Sequence, residues 1–136
     1  MKQRVVITGL GIVAPNGNGL HDFEIALRKG RSGLRRHPAM EKHGFACRVA
    51  GVPQGADELA EAMFDSDELI AMNSSHRFAG IAAVDAWTDA GLPRPARDDE
   101  TVDWDSGAIL GTGIGGMDTI AAHIVPRVNS NSVRRL

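Results

Sequence analysis

The chain has 136 residues, 43% of them hydrophobic, which suits one domain with a buried core. Fifteen basic residues against seventeen acidic ones give a formal charge of −2, and aromatic residues make up only 4%. That balance gives no general attraction to polyanions and argues against a stacking platform for single-stranded nucleic acid. A single cysteine, Cys47, excludes an internal disulfide framework and fits a reducing cytoplasm.

In chain order, residues 4–8 read as a buried strand, because Val5, Val6 and Ile7 form a continuous β-branched run. That run is short and broken by Gly9, Gly11 and Pro15, which is not the pattern of a signal peptide. No apolar run approaches the ~20 residues that span a bilayer, so neither a membrane nor a nucleic acid is expected as a partner. Residues 16–19 form a turn cluster. Residues 21–29 read as a short helix carrying Phe23, Ile25, Ala26 and Leu27, with Gly30 at its C-cap. Residues 34–44 are basic and irregular, and residues 45–52 form a strand closed by Pro53.

Residues 57–72 hold one or two short helical pieces. The clearest helix follows, capped by Ser74 or Ser75 and ended by Gly91 and Pro93, with Phe78, Ile81, Ala82 and Asp85 to Ala86 at helical spacing. A polar connection over residues 94–105 leads to a strand at 107–110. A glycine turn follows, and then a helix through His123 that Pro126 stops. The tail from Arg127 is polar without a strong period, and there is no internal repeat. Strands followed by helices predict an α/β fold with a largely parallel sheet, whose sites lie at the carboxyl ends of strands.

Both apolar strands end in glycines. Gly9, Gly11 and Ala14 match G-x-G-x-x-A, and Gly111, Gly113 and Gly116 match G-x-G-x-x-G. A dinucleotide site would also need a helix opening at the turn and an acid about 20 residues on. After Gly9 the chain runs into Pro15 and the Asn16-Gly17 turn, and after Gly116 that distance reaches the end of the sequence. Neither turn carries a P-loop lysine. A nucleotide-binding module is thus one reading; glycines needed for positive φ or close backbone approach are the other.

Residues 4–19, "RVVITGLGIVAPNGNG", followed by "ALRKGRSGL", resemble the N-terminal signature of β-ketoacyl-acyl-carrier-protein synthases, condensing enzymes of the thiolase fold. "HRFAGIAAVDAWTDAGL" is similar to their first long helix, and "GAILGTGIGG" to their next strand and turn. The matches stay in register from Arg4 to Met117. Two positions depart from the pattern: His76 stands where an acid is common, and Glu24 where an aromatic is common.

The resemblance implies that residues 1–136 are the N-terminal segment of a ketosynthase domain, the first part of a thiolase-like layered α/β fold. It implies decarboxylative Claisen condensation of a cysteine-bound acyl thioester with malonyl-acyl carrier protein, in fatty acid or polyketide biosynthesis. It implies an acyl carrier protein partner, no cofactor and no metal, and a homodimer or a heterodimer with a chain-length-factor subunit. A non-catalytic subunit of that second kind is the alternative within the family. The nucleophilic cysteine and two assisting histidines are expected beyond Leu136. In this segment the resemblance points to Ile114, the fourth residue of "GTGIGG", as lining the acyl pocket; an ordinary core residue is the competing reading.

No residue present forms a catalytic set of its own. Cys47 lies in a strand without a glycine-led helix to lower its pKa, and reads as a small core or edge residue. His21, His37, His43, His76 and His123 show no zinc spacing. His37 and His43 are expected in solvent, and His76 and His123 at helix ends in capping or surface roles. Asp65, Asp67 and Glu68 read as a solvated helix face, as do Asp98, Asp99 and Glu100 in the connection. Arg31, Arg35 and Arg36 make a small basic patch, open to an acidic carrier protein or simply solvated.

Overall fold

Turn residues divide the first half of the molecule into short elements. The computed structural model describes residues 4–96 and 98–130. Strands β1 (Val13–Ala14) and β2 (Gly17–Asn18) form a hairpin around Pro15 and Asn16, pairing Val13 with Asn18 and Ala14 with Gly17. Helix α1 (Leu20–Arg28) follows directly. Strand β3 (Leu34–Arg36), helix α2 (Pro38–Lys42) and strand β4 (Val49–Gly51) make a second unit, in which β3 and β4 pair antiparallel. Helices α3 (Ala56–Met63), α4 (Ser66–Ala71) and α5 (Ser74–Asp89) come next. After the long connection, α6 (Met117–Thr119), a π turn (Ile120–Ile124) and α7 (Val125–Asn129) run on as one helical stretch.

The helix ends obey local chemistry. Gly30, with φ of +61°, follows α1. The amide of Arg31 donates to the Ala26 carbonyl at 2.8 Å and that of Gly30 to Leu27 at 3.0 Å, a Schellman motif that satisfies the last carbonyls. Gly91 does the same for α5, with Leu92 bonded to Trp87 and Gly91 to Thr88. The cap of α5 is neither of the serines expected. Asn73 Oδ1 accepts from the His76 amide at 3.1 Å, and His76 Nδ1 accepts from the Asn73 amide at 3.4 Å. This is a capping box with histidine in the place usually held by Glu or Gln. Nor are Asp65 and Glu68 merely solvated. The Asp65 carboxylate accepts from the amides of Asp67 and Glu68, and Glu68 Oε2 accepts from the Asp65 amide at 2.8 Å.

The core is small and lies between α3 and α5. Ala56, Ala60 and Ile81 are buried there, with Val13, Leu59, Met63, Phe64, Leu69 and Phe78 packed against them. Gly80 lets the Phe64 ring lie against α5; a Cβ added at Gly80 would stand 2.8 Å from Phe64 Cζ.

The expected parallel sheet does not form among the described residues: both sheets are two-stranded and antiparallel. Residues 4–8 and 107–110 are irregular rather than strands, with Val5 94% and Ile109 102% exposed. A run buried on both faces needs neighbouring strands to satisfy its backbone, and no described residue pairs with either run. The strand expected over residues 45–52 shortens to β4, which leaves Cys47 exposed in the preceding loop rather than in a core or edge position. Pro126 does not stop the last helix. The Val125 amide reaches back five residues to the Ile120 carbonyl, and this wider turn places Pro126 in the first turn of α7, where its missing N–H costs little. The polar tail beyond residue 130 lies outside the described residues.

Candidate functional site

Helix α5 is where the features singled out in the sequence converge. Residues 9–11 cross it in close contact. A Cβ added at Gly9 would collide with the Ala86 carbonyl oxygen and stand 2.7 Å from Ala90 N. One added at Gly11 would collide with the Ala82 carbonyl oxygen and stand 2.8 Å from Ala86 N. Ala82, Ala86 and Ala90 recur every fourth residue and form a shallow lane along the helix, and only glycine lets the crossing backbone sink into it. The Leu10 amide donates to Asp89 Oδ2 at 2.9 Å. A phosphate cradle would need that amide free and no carboxylate beside it. The first glycine pair is therefore a packing device.

The second turn meets the opposite end of α5. Gly116, with φ of +75°, is the N-cap of α6, and a Cβ there would come within 3.7 Å of Asn73 Nδ2. Asp118 Oδ2 accepts the Ser74 amide at 2.8 Å, so a carboxylate from α6 serves the N-terminus of α5, where the helix dipole favours negative charge. Donation from the Ser74 backbone first, and from its side chain second, holds the Asp118 carboxyl below the usual carboxylate range. Gly111 and Gly113 have nothing within 4 Å of an added Cβ.

Two apolar hollows line the flank of α5. One, of about 360 Å³, is bordered by Met72, His76, Ala79, Gly80, Ala83 and Leu110. The other, of about 280 Å³, lies between Ala83, Val84, Trp87, Arg94 and Pro95. There Trp87 Nε1 donates to the Pro93 carbonyl, and Arg94 Nη2 donates to the Met63 carbonyl. Ile114 borders neither hollow and stands 82% exposed.

The histidines are dispersed. His76 caps α5 and edges the larger hollow, His21, His43 and His123 are exposed, and His37 is half-buried rather than solvated, with Nδ1 shielded and without a partner among the described residues. Cys47 Sγ lies 3.8 Å from the nearby Val49 carbonyl oxygen. Among the described residues no three His, Cys, Asp or Glu side chains gather where they could hold a metal ion, and no helix is long and apolar enough to cross a membrane. Sequence reasoning missed the Asp118–Ser74 contact, which no local pattern encodes. It also missed Asn73, whose signal was present: an Asx residue three positions before a nitrogen-bearing side chain.

Comparison with known proteins supplies what the geometry alone does not. The family described as Beta-ketoacyl synthase, N-terminal domain, matches residues 2–134. The 3-oxoacyl-acyl-carrier-protein synthase 2 of Synechocystis sp. is 34% identical over 119 residues, covering 88% of this chain and 27% of that protein. The tetracenomycin polyketide synthase ketoacyl synthase beta subunit of Streptomyces glaucescens is 36% identical over 114 residues, covering 84% of this chain and 26% of that protein. The putative polyketide beta-ketoacyl synthase 1 of Streptomyces halstedii is 34% identical over 123 residues, covering 85% and 26%. The chain thus spans about a quarter of the length of the curated relatives it matches. With the match running through nearly every element described above, the chain belongs to the β-ketoacyl synthase family, in the part that corresponds to its N-terminal domain.

Proposed function

We propose that this chain is the opening segment of a β-ketoacyl synthase domain acting in fatty acid or polyketide biosynthesis. The observation that carries this reading is the family match over residues 2–134, together with relatives named as 3-oxoacyl-acyl-carrier-protein synthases and polyketide ketosynthases. In the complete enzyme an acyl group passes to a cysteine thiolate. Malonyl on acyl carrier protein then loses CO2, and the resulting carbanion attacks the acyl carbon and releases the thiolate. The nucleophile and its two histidines belong to the part of the family's length that these 136 residues do not match. Cys47 is exposed in a loop and takes no part.

The contribution of this segment is structural. Residues 4–8 and 107–110 join a largely parallel sheet in the complete thiolase-like domain, which covers the apolar side chains they leave open here. A cytoplasmic homodimer, or a heterodimer of ketosynthase and chain-length factor, with acyl carrier protein as the substrate-bearing partner, completes the reading. A second reading, a non-catalytic chain-length-factor-type subunit, draws on the 36% identity to a ketoacyl synthase beta subunit.

The test is a chimera in which residues 2–134 replace the matched quarter of the Synechocystis relative. Condensation of an acyl primer with malonyl-acyl carrier protein is expected, and Cys47→Ser leaves it intact. A chimera that folds and dimerises yet neither condenses nor decarboxylates malonyl would overturn the catalytic reading. The same protein tests Ile114. If this side chain borders the acyl chain, Ile114→Phe shortens the longest primer accepted and Ile114→Ala relaxes that limit. A loss that is uniform over primer lengths and follows a fall in melting temperature would make Ile114 an ordinary packing residue.

A further inference from the structure

The charge of the chain is unevenly spread. Residues 28–48 hold seven Lys and Arg against one acid, Glu41, while the remaining residues hold eight against sixteen. Glu41 is shared by Arg36 at 3.2 Å and Arg48 at 3.7 Å, and Arg28 is paired with Glu24 at 2.7 Å. Arg35 pairs with no carboxylate among the described residues. This cationic segment is folded around a concavity. A cavity of about 240 Å³ lies between β3, β4 and the start of α2, lined by Arg35, Arg36, His37, Pro38 and Gln54 among others. The His37 backbone is fixed there by its amide, which donates to the Arg48 carbonyl at 2.8 Å. Its side-chain Nδ1 is shielded from solvent and has no hydrogen-bond partner among the described residues.

We propose that this cavity binds a phosphate-class oxyanion, with Arg35 and Arg36 as guanidinium donors and His37 Nδ1–H as a third donor. Guanidinium forks match the oxygen geometry of such an anion, and when the shielded Nδ1 of His37 carries the ring proton, an oxyanion oxygen supplies the partner it lacks among the described residues. The volume suits a phosphoryl group rather than a drug-sized molecule, whose pockets run roughly 300–1,000 Å³. A larger cavity of about 430 Å³ shares Arg35 and Gln54 with it but is lined by Asp22 as well. That carboxylate repels a second anionic group and confines the charge to the smaller cavity, while Asn16 and Asn18 line the larger one for neutral polar atoms. The proposal is independent of the condensation reading.

The test titrates the 136-residue chain with inorganic phosphate and, separately, with glycerol 3-phosphate, at fixed ionic strength set by NaCl, reading amide shifts by NMR. Saturating shifts are expected at Arg35, Arg36, His37 and Ala50 to Val52, with a midpoint raised about tenfold by Arg35→Gln and about threefold by His37→Ala, from the loss of charged and neutral donors. Arg35→Lys retains part of the affinity. Equal midpoints for the two ligands identify free phosphate as sufficient; a tighter glycerol 3-phosphate midpoint identifies a phosphoryl group on a larger molecule. The proposal fails if the shifts do not saturate, or spread evenly over Lys29, Arg31 and Arg48. It fails equally if the hairpin amides show no dispersed resonances with or without phosphate, or if an acidic peptide without phosphate binds as tightly, which would make the face a protein-docking surface.

Discussion

The two glycine turns of this chain look alike in sequence and do opposite work. Gly9 and Gly11 are pressed into α5 until a single methyl group on either would overlap a carbonyl oxygen. Gly111 and Gly113 stand in open space, and only Gly116 at the end of that turn needs glycine, for its positive φ. The first turn is thus glycine because of a neighbour, and in the second nothing among the described residues requires glycine at 111 or 113. The apolar runs that precede the turns share one fate: Val5 to Ile7 and Ile109 to Leu110 are uncovered, although their composition is that of strands buried on both faces. A motif therefore reports backbone permissiveness, and its use depends on what packs against it.

The sharpest way to break this contrast is to put the same methyl group into both turns. Gly11→Ala forces Cβ into the Ala82 carbonyl and is expected to cost about 3 kcal/mol, the upper range of overpacking. Gly113→Ala meets nothing, and is expected to be neutral or to stabilise by up to roughly 0.5 kcal/mol through the entropy of the unfolded chain. Chemical denaturation of the two variants, in the chain or in the chimera, checks both signs. Similar destabilisation by both would mean that the second turn is also enclosed.

A second contrast compares two isoleucines. Ile81 is fully buried between α3 and α5, and Ile81→Ala is expected to cost about 2–5 kcal/mol in any setting. Ile109 is fully exposed in this chain, so Ile109→Ala changes its stability by less than about 0.5 kcal/mol here. In the chimera, where residues 107–110 are expected to enter a sheet, the same substitution should cost as much as a core truncation. If Ile109→Ala stays silent in the chimera, those residues do not join the sheet. The uncovered runs also predict that the isolated chain self-associates or melts below the mesophilic range; a monomer with a cooperative melt near 60 °C would show that it needs no cover.

How much of this was legible beforehand follows from the range of the interactions. Helices α1 and α5 and their glycine stops were readable, because periodicity, caps and Schellman glycines act within a few residues. The Asp65–Glu68 box is equally local, yet its sequence reads as a solvated face, because acids at a helix start serve both purposes. The sheet was not legible as a contact map, since strand propensity says that a segment can pair and not with what. The family was legible because several motifs, each weak alone, stayed in register over most of the chain, and together they excluded most unrelated folds. The lane of Ala82, Ala86 and Ala90 was visible as small residues at helical spacing, but nothing in the sequence tied it to Gly9 and Gly11, some 70 residues away.

The smallest expected effect concerns the contact between Asp118 and Ser74 at the second turn. Asp118 accepts the Ser74 amide at the dipole-positive end of α5, and this donor lowers its pKa. A carboxylate that titrates lower when folded than when unfolded stabilises the docked state above its unfolded value of about 3.9. That contribution is lost as the pH falls through the folded value. Asp99 and Asp103 are lowered as well, but by donors in their own loop, Thr101 for the first and Ser106 for the second, so they report on a different segment. The Ser74 amide proton should therefore shift with a midpoint below 3.9, and Gly116 and Met117 should follow it as α6 leaves the helix end. Asp118→Asn keeps an acceptor oxygen but removes the charge, and should abolish that titration while leaving α5 capped by Asn73. Because the carboxylate is exposed, its effect on global stability is small and the local shift is the readout. A Ser74 midpoint at or above 3.9, or a titration that persists in Asp118→Asn, would mean that the turn is not held to α5 through this carboxylate.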